Sequence, residues 1–296
     1  MITGQIHGVI PPMLTPFTPS GDVDIAAHGR NMLRWNSQPL TGYLVLGSNG
    51  ETPYLSEAEK LSLIEATIKH ASGKMVLAGT GLESTRETVR LTNEAAGLGI
   101  DAALILTPNF YGTRMTDDAL VQHYRSIADA ARIPILIYNM PAVTHLSISV
   151  KAVSVLSRHP NIIGMKDSSG DVPRMAQNRA AVPESWNLIV GTASAWYPSL
   201  TLGIRAGIMA LANFAGRECA EVQRLHECGD AAGALRMYSK LVPVNAAVTT
   251  TYGVPGLKYA ASLFGYEGTV PRRPLLPLGD EARRAVDGIL KAAELV

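Results

Sequence analysis

The chain has 296 residues, 47% of them hydrophobic and 17% charged, with a formal net charge of +1. This is an ordinary globular profile. Its scattered lysines and arginines exclude a basic nucleic-acid face, and nothing suggests an acidic tail. No apolar run is long enough to cross a bilayer. The opening stretch Met1–His7 lacks the charged start and apolar core of a secretory leader. Cys219 and Cys228 are the only cysteines; two in a chain of this size make no disulfide framework, and a cytoplasmic location is expected. The length admits one large α/β barrel or two smaller domains.

In chain order, Gly8–Phe17 reads as a strand running into a proline-punctuated loop. Asp24 is placed to cap a helix carrying Ile25, Met32, Leu33 and Trp35. Gly42–Gly47 is a short continuous apolar run, the mark of a strand buried on both faces. A polar turn, Ser48–Glu51, follows it. Ser56 and Glu59 have capping-box spacing, and Leu61, Ile64 and Ile68 continue the helix. The unit then recurs. Strands are expected at Lys74–Gly79, Ala102–Pro108, Ile133–Asn139, Ile162–Lys166, Asn187–Gly191 and Gly207–Asn213. Ser84, Thr116 and Ser149 open the helices after the first three of these.

Eight strand–helix units at roughly 25–35-residue spacing have the period of βαβ units. Eight units close a TIM barrel, whose usual size is about 250 residues. The expected fold is therefore α/β: a (β/α)8 TIM barrel over residues 1–225, with a helical extension over 226–296 packed on it. The runner-up is a doubly wound open sheet. It rests on Gly79-Thr80-Gly81-Leu82-Glu83-Ser84, where a serine stands in place of the third glycine of a dinucleotide fingerprint.

Barrel chemistry sits at the C-terminal ends of the strands. There the chain places Ser48, Asn49, Gly50 and Glu51, then Asn109, Phe110 and Tyr111, then Tyr138 and Asn139, then Lys166 and Asp167, then Gly191 and Thr192. Two uses fit a lysine ending a buried strand. It can snorkel to solvent, or its amine can attack a ketone. Ser48 and Asn49, with backbone N–H groups around Gly50, can hold a carboxylate or simply turn the chain. Tyr138 can carry protons or fill the core. Glu51 is expected to cap the next helix or to pair with a neighbouring chain. Asp167 alternates to the face opposite Lys166, which suits a structural role. No metal-ligand spacing occurs, Ser194 lies outside any nucleophile elbow, and both cysteines are expected to be buried thiols.

Gly47-Ser48-Asn49-Gly50-Glu51, Tyr138 followed by Pro141, and Gly164-Met165-Lys166-Asp167 together resemble the dihydrodipicolinate synthase / N-acetylneuraminate lyase superfamily of Schiff-base aldolases. The resemblance covers nearly the whole chain. Leu77–Gly81, Glu83–Thr85, His159–Ser168, and Asn245–Thr249 followed by Gly253–Lys258 bring it closest to the 4-hydroxy-2-oxoglutarate aldolase branch.

The resemblance implies roles. Lys166 would form the Schiff base and Tyr138 would shuttle the proton. Ser48 and Asn49, with Gly50, would bind the substrate carboxylate. Ser168 would contact substrate, and Gly191 and Ile208 would line the site. No metal or organic cofactor is needed, because the lysine is itself the electron sink. The partners would be a small 2-oxo acid and an aldehyde, with no nucleic acid or membrane, in a homotetramer built as a dimer of dimers. Two positions depart from the family. Val143 stands where dihydrodipicolinate synthases carry a carboxylate-binding arginine. Phe110 stands where the family lends a tyrosine across a subunit boundary, leaving Tyr111 as a candidate relay. The expected activity is cleavage of 4-hydroxy-2-oxoglutarate to pyruvate and glyoxylate. Dihydrodipicolinate synthase, a 2-oxo-3-deoxy sugar acid aldolase or dehydratase, and a pyruvate-binding sensor are the alternatives.

Overall fold

The structure is a computed structural model and describes residues 4–296; the first three residues of the stretch read for a leader lie outside them. Eight parallel strands form one sheet: β1 Gly8–Ile10, β2 Gly42–Val45, β3 Met75–Gly79, β4 Ala102–Leu106, β5 Ile135–Asn139, β6 Ile162–Asp167, β7 Asn187–Val190 and β8 Ala206–Ile208. Their order, β1-β8-β7-β6-β5-β4-β3-β2, places neighbours in sequence beside one another, with β1 returning to β8. The ring is joined between β1 and β2 just past the strand proper. There Leu44 donates its N–H to the Pro11 carbonyl at 3.0 Å, and Met13 donates to the Leu44 carbonyl at 2.9 Å. This is the expected TIM barrel, and the open doubly wound sheet is set aside.

Helices alternate with the strands: α1 Ile25–Asn36, α2 Glu57–His70, α3 Thr85–Leu98, α4 Asp117–Ala130, the single turn α5 Pro141–Thr144, α6 Val150–Leu156, α7 Val172–Ala181, α8 Trp196–Thr201 and α9 Gly216–Glu227. Three more, α10 Ala231–Ala246, α11 Gly253–Leu263 and α12 Asp280–Ala292, form the C-terminal helical part. The caps read from sequence are present. Asp24, Ser84, Thr116 and Ser149 each accept a backbone N–H three residues on. Ser56 and Glu59 make both bonds of a capping box.

Alternation along the strands sorts the apolar residues into two layers. Ile10, Leu44, Leu77, Leu104, Leu136, Tyr138, Ile189 and Ile208 fill the barrel. A larger layer, with Val45, Val76, Ile105, Ile137, Met165 and Val190, packs between sheet and helices. Both faces of each strand are thus buried, which is why the strands read as unbroken apolar runs.

Two expectations are corrected. The last strand was expected to run from Gly207 to Asn213, but it ends at Ile208 and Ala210–Asn213 is a tight 3₁₀ turn. The Asn213 side chain closes that turn: its amide donates to the Ala210 and Pro12 carbonyls, each at 3.0 Å, and its oxygen accepts the Leu14 N–H. Of the two thiols expected to be buried, Cys219 is, and burial pushes it far up from the usual thiol range. Cys228 is exposed, because it lies just past the end of α9.

Candidate active site

Lys166 lies next to last on β6 and pairs in register with Tyr138 on β5 and Ile189 on β7. Both partners belong to the barrel interior, so Lys166 points inward as well. It is only 2% exposed. Among the described residues it enters no ion pair and donates no hydrogen bond. Its Nζ lies 4.1 Å from the centroid of the Tyr138 ring, which supplies a weak attraction to a cation in place of a counter-ion. Asp167, next in sequence, faces the other way. Its Oδ1 accepts from the Asn139 amide at 3.0 Å and from the Ser169 N–H at 2.9 Å. That carboxylate fixes the turn after β6 and leaves the amine uncompensated.

The polar turn after β2 reaches the same space. Gly47 leads into a 3₁₀ turn over Ser48–Gly50. The Ser48 hydroxyl lies 3.4 Å from the Tyr138 hydroxyl. The Gly50 carbonyl is held from behind by the Thr15 hydroxyl at 2.6 Å. Among the described residues the Asn49 side chain has no hydrogen-bond partner. The serine and tyrosine hydroxyls thus lie together beside one buried amine.

Ser168 and Gly191 meet just past the ends of the paired strands β6 and β7. A Cβ on residue 191 would fall 1.9 Å from the Ser168 oxygen, so only glycine fits there. The Ser168 hydroxyl is buried without a partner. A buried hydroxyl left unbonded is costly, and a bound carboxylate or hydroxyl is one way to satisfy it. Ile208, the last residue of β8, belongs to the barrel interior.

Tyr111 is not brought to the site. It is 72% exposed beside Phe110 at 79%, the two rings edge to face with centroids 5.2 Å apart. Two N–H groups, of Asn109 and Phe110, hold this loop on the Glu83 carboxylate. Val143 lies in α5 at the rim, half-exposed.

Three contributors escaped the sequence reading. Met140 accepts the Tyr138 hydroxyl on its sulfur; two residues beyond Tyr138, it repeats the strand's inward parity, and that was the usable signal. Asn245, near the end of α10, donates to the hydroxyls of Thr192 at 3.1 Å and Ser194 at 2.8 Å. Lys258 forms a buried ion pair with Glu51, 2.6 Å apart. Glu51 was expected to cap a helix or to reach a neighbouring chain; its partner is instead in the same chain. No group of three or more histidine, cysteine or acidic side chains able to hold a metal occurs among the described residues.

Residues 5–293 match the model of the dihydrodipicolinate synthetase family. A 4-hydroxy-tetrahydrodipicolinate synthase of Ruegeria pomeroyi is 34% identical over 99% of this chain and all of its own length. One of Acidiphilium cryptum is 34% identical over 96% of this chain and 99% of its own. Among solved structures, the dihydrodipicolinate synthase of Acinetobacter baumannii, in complex with pyruvate, superposes with a TM-score of 0.93 at 30% identity, covering 98% of this chain and 100% of that one. These relatives carry the synthase name, whereas the sequence motifs pointed to the 4-hydroxy-2-oxoglutarate aldolase branch. The names support what had been the alternative.

Proposed function

Since the chain belongs to the dihydrodipicolinate synthetase family, we propose that it is a lyase that joins pyruvate to an aldehyde, or splits such an adduct, through a Schiff base on Lys166. One observation carries this reading: a lysine amine sealed in the barrel without a counter-ion, in register with a tyrosine whose hydroxyl lies beside a serine. The amine adds to the ketone of pyruvate, and water leaves to give the iminium. Loss of a proton from the methyl carbon gives an enamine, which attacks the aldehyde carbon. Tyr138 delivers the proton to the new hydroxyl, and water hydrolyses the iminium to free Lys166. Ser48, Asn49 and the N–H groups of their turn are assigned to the pyruvate carboxylate. Ser168, Gly191 and Ile208 shape the wall against which the new bond forms.

The relatives' names support the acceptor of a 4-hydroxy-tetrahydrodipicolinate synthase, aspartate semialdehyde. A second reading, cleavage of 4-hydroxy-2-oxoglutarate, is favoured by Val143. An apolar side chain at the rim cannot pair the acceptor's distal carboxylate, and glyoxylate needs no such partner. Tyr111 serves as a relay in this proposal only across a subunit boundary, which its exposure beside Phe110 suits. The test has two steps. Borohydride with pyruvate should fix a mass adduct on Lys166, and its absence sinks the proposal. A panel of aspartate semialdehyde, glyoxylate and longer sugar-derived aldehydes then assigns the acceptor. Adduct without turnover on any of them would favour a pyruvate sensor.

A further inference from the structure

The turn assigned to the pyruvate carboxylate ends on a residue in an unusual state. Glu51 directly follows Ser48–Gly50 and has φ 56° and ψ 34°. This left-handed conformation disfavours any residue with a Cβ. It persists where the surroundings dictate it. Here they come from the far end of the chain. One carboxylate oxygen of Glu51 lies 2.6 Å from Lys258 Nζ on α11, and the other accepts the Arg272 N–H at 2.8 Å. Lys258 also donates to the Val270 carbonyl at 2.9 Å and sits over the Phe17 ring. Arg272 covers the same ring and bridges to Glu59. Both members of the Glu51–Lys258 pair are closed to solvent, so neither touches a ligand.

Such a pair is weak evidence for stability, since apolar residues of similar volume often do as well. Its distinctive property is direction. A carboxylate held by an ammonium on one oxygen and a backbone N–H on the other has one position, and residue 51 carries residues 48–50 with it. Removing either charge alone leaves the other buried and unpaired. Burial already draws the Lys258 pKa down to about 8 against the pull of Glu51.

We propose that the Glu51–Lys258 pair is a positioning device through which the C-terminal helices set the geometry of the Ser48–Gly50 turn and thereby the affinity for pyruvate. The inference rests on the reading of that turn as the carboxylate site. It makes Glu51 and Lys258 positioning residues, with the reacting atoms left to Lys166 and Tyr138.

The test is the rate of borohydride trapping on Lys166 as a function of pyruvate concentration, on wild type and on the double variant Glu51→Gln/Lys258→Met. Both buried charges leave together, so no unpaired charge remains in the core. The half-saturating pyruvate concentration should rise by about tenfold, the scale of one misdirected hydrogen bond to a charged group. The maximal trapping rate should stay near that of wild type. Glu51→Asp, which keeps the buried charge and shortens the arm that reaches Lys258, gives the same readout if the double variant does not fold. A folded variant with unchanged half-saturation overturns the positioning role. Failure of wild type itself to trap pyruvate strikes the proposed function instead, so the two failures are distinguishable.

Discussion

Lys166 and Lys258 are both sealed inside this protein, at 2% and 0% exposure, and their surroundings are opposite. Lys258 has a carboxylate at 2.6 Å, a carbonyl at 2.9 Å and an aromatic face. Among the described residues Lys166 has the aromatic face alone. A charge that serves the fold is compensated in full. An amine that must add to a carbonyl carbon has to keep its lone pair within reach of a ligand, and a carboxylate beside it would bind the proton it needs to lose. Burial therefore does not distinguish the two roles; the presence or absence of a counter-charge does.

Exchanging the two residues' fates is the strongest way to break the comparison. Lys166→Met should abolish the borohydride adduct and bring turnover to background, yet leave the thermal midpoint unchanged or higher, since an uncompensated polar group leaves the core. A marked fall in the midpoint would show that Lys166 is structural. Tyr138→Phe comes next. Turnover should drop by ~10²–10⁴-fold, the usual weight of a proton-transferring group, while pyruvate is still trapped on Lys166. Equal loss of trapping would make Tyr138 a packing residue.

Lys258→Met should show the reverse pattern, destabilising the fold by about 3–5 kcal/mol because Glu51 is left charged and buried. Urea unfolding measures this, and a change below 1 kcal/mol, the scale of an exposed pair, would undo the contrast. The last effect concerns pH. Burial draws His28 and His123 down from 6.5 to about 4, with His70 adding to the shift at His28 and Glu83 opposing it at His123. For His28 the geometry fixes the tautomer. The Thr67 hydroxyl donates to the Leu63 carbonyl, so His28 Nε2 donates to Thr67, and its Nδ1 is buried without a partner.

For a histidine whose folded pKa is depressed, the full contribution is present above pH 6.5 and is lost as pH falls towards 4. The unfolded chain binds protons over that interval and the fold does not. Each site then accounts for about 3 kcal/mol, at 1.36 kcal/mol per pH unit. Urea titrations at pH 7, 5.5 and 4.5 should show this fall, and His28→Gln should remove about half of it. A wild-type curve flat across the interval would contradict the assignment. The result also sets pH close to 7, above the histidines' range and below the Lys258 value of about 8, as the condition in which the two lysines are compared cleanly.

Most of the barrel was legible because it is written locally. Each buried strand is a run of three to six residues, and each capping side chain lies three positions before the N–H that donates to it. The proposed site was read from residue types at strand ends, with Tyr138 ending one strand and Lys166 the next, and alternation set Asp167 on the face opposite Lys166. What stayed hidden depends on distance along the chain. The partners of Glu51 include Arg272, 221 positions away, and no periodicity connects them. Asn245 lies 53 positions from Thr192. The end of β8 was misjudged because an apolar run continues through Asn213, and only that residue's bonds to Pro12 and Ala210 turn it out of the sheet.

The joint between β1 and β2 has a further consequence. Prolines at 11 and 12 have no N–H to offer a ladder, and the two bonds of Leu44 with Pro11 and Met13 close the ring there. The barrel thus resembles a bracelet with a clasp, and the Ser48–Gly50 turn hangs just beyond it. Amide hydrogen exchange at Leu44 and Met13 reads the opening of the clasp separately from global unfolding. If a 2-oxo acid binds covalently to β6 and is held by this turn, as proposed, it fastens the clasp from inside and should slow exchange at those two amides before any other.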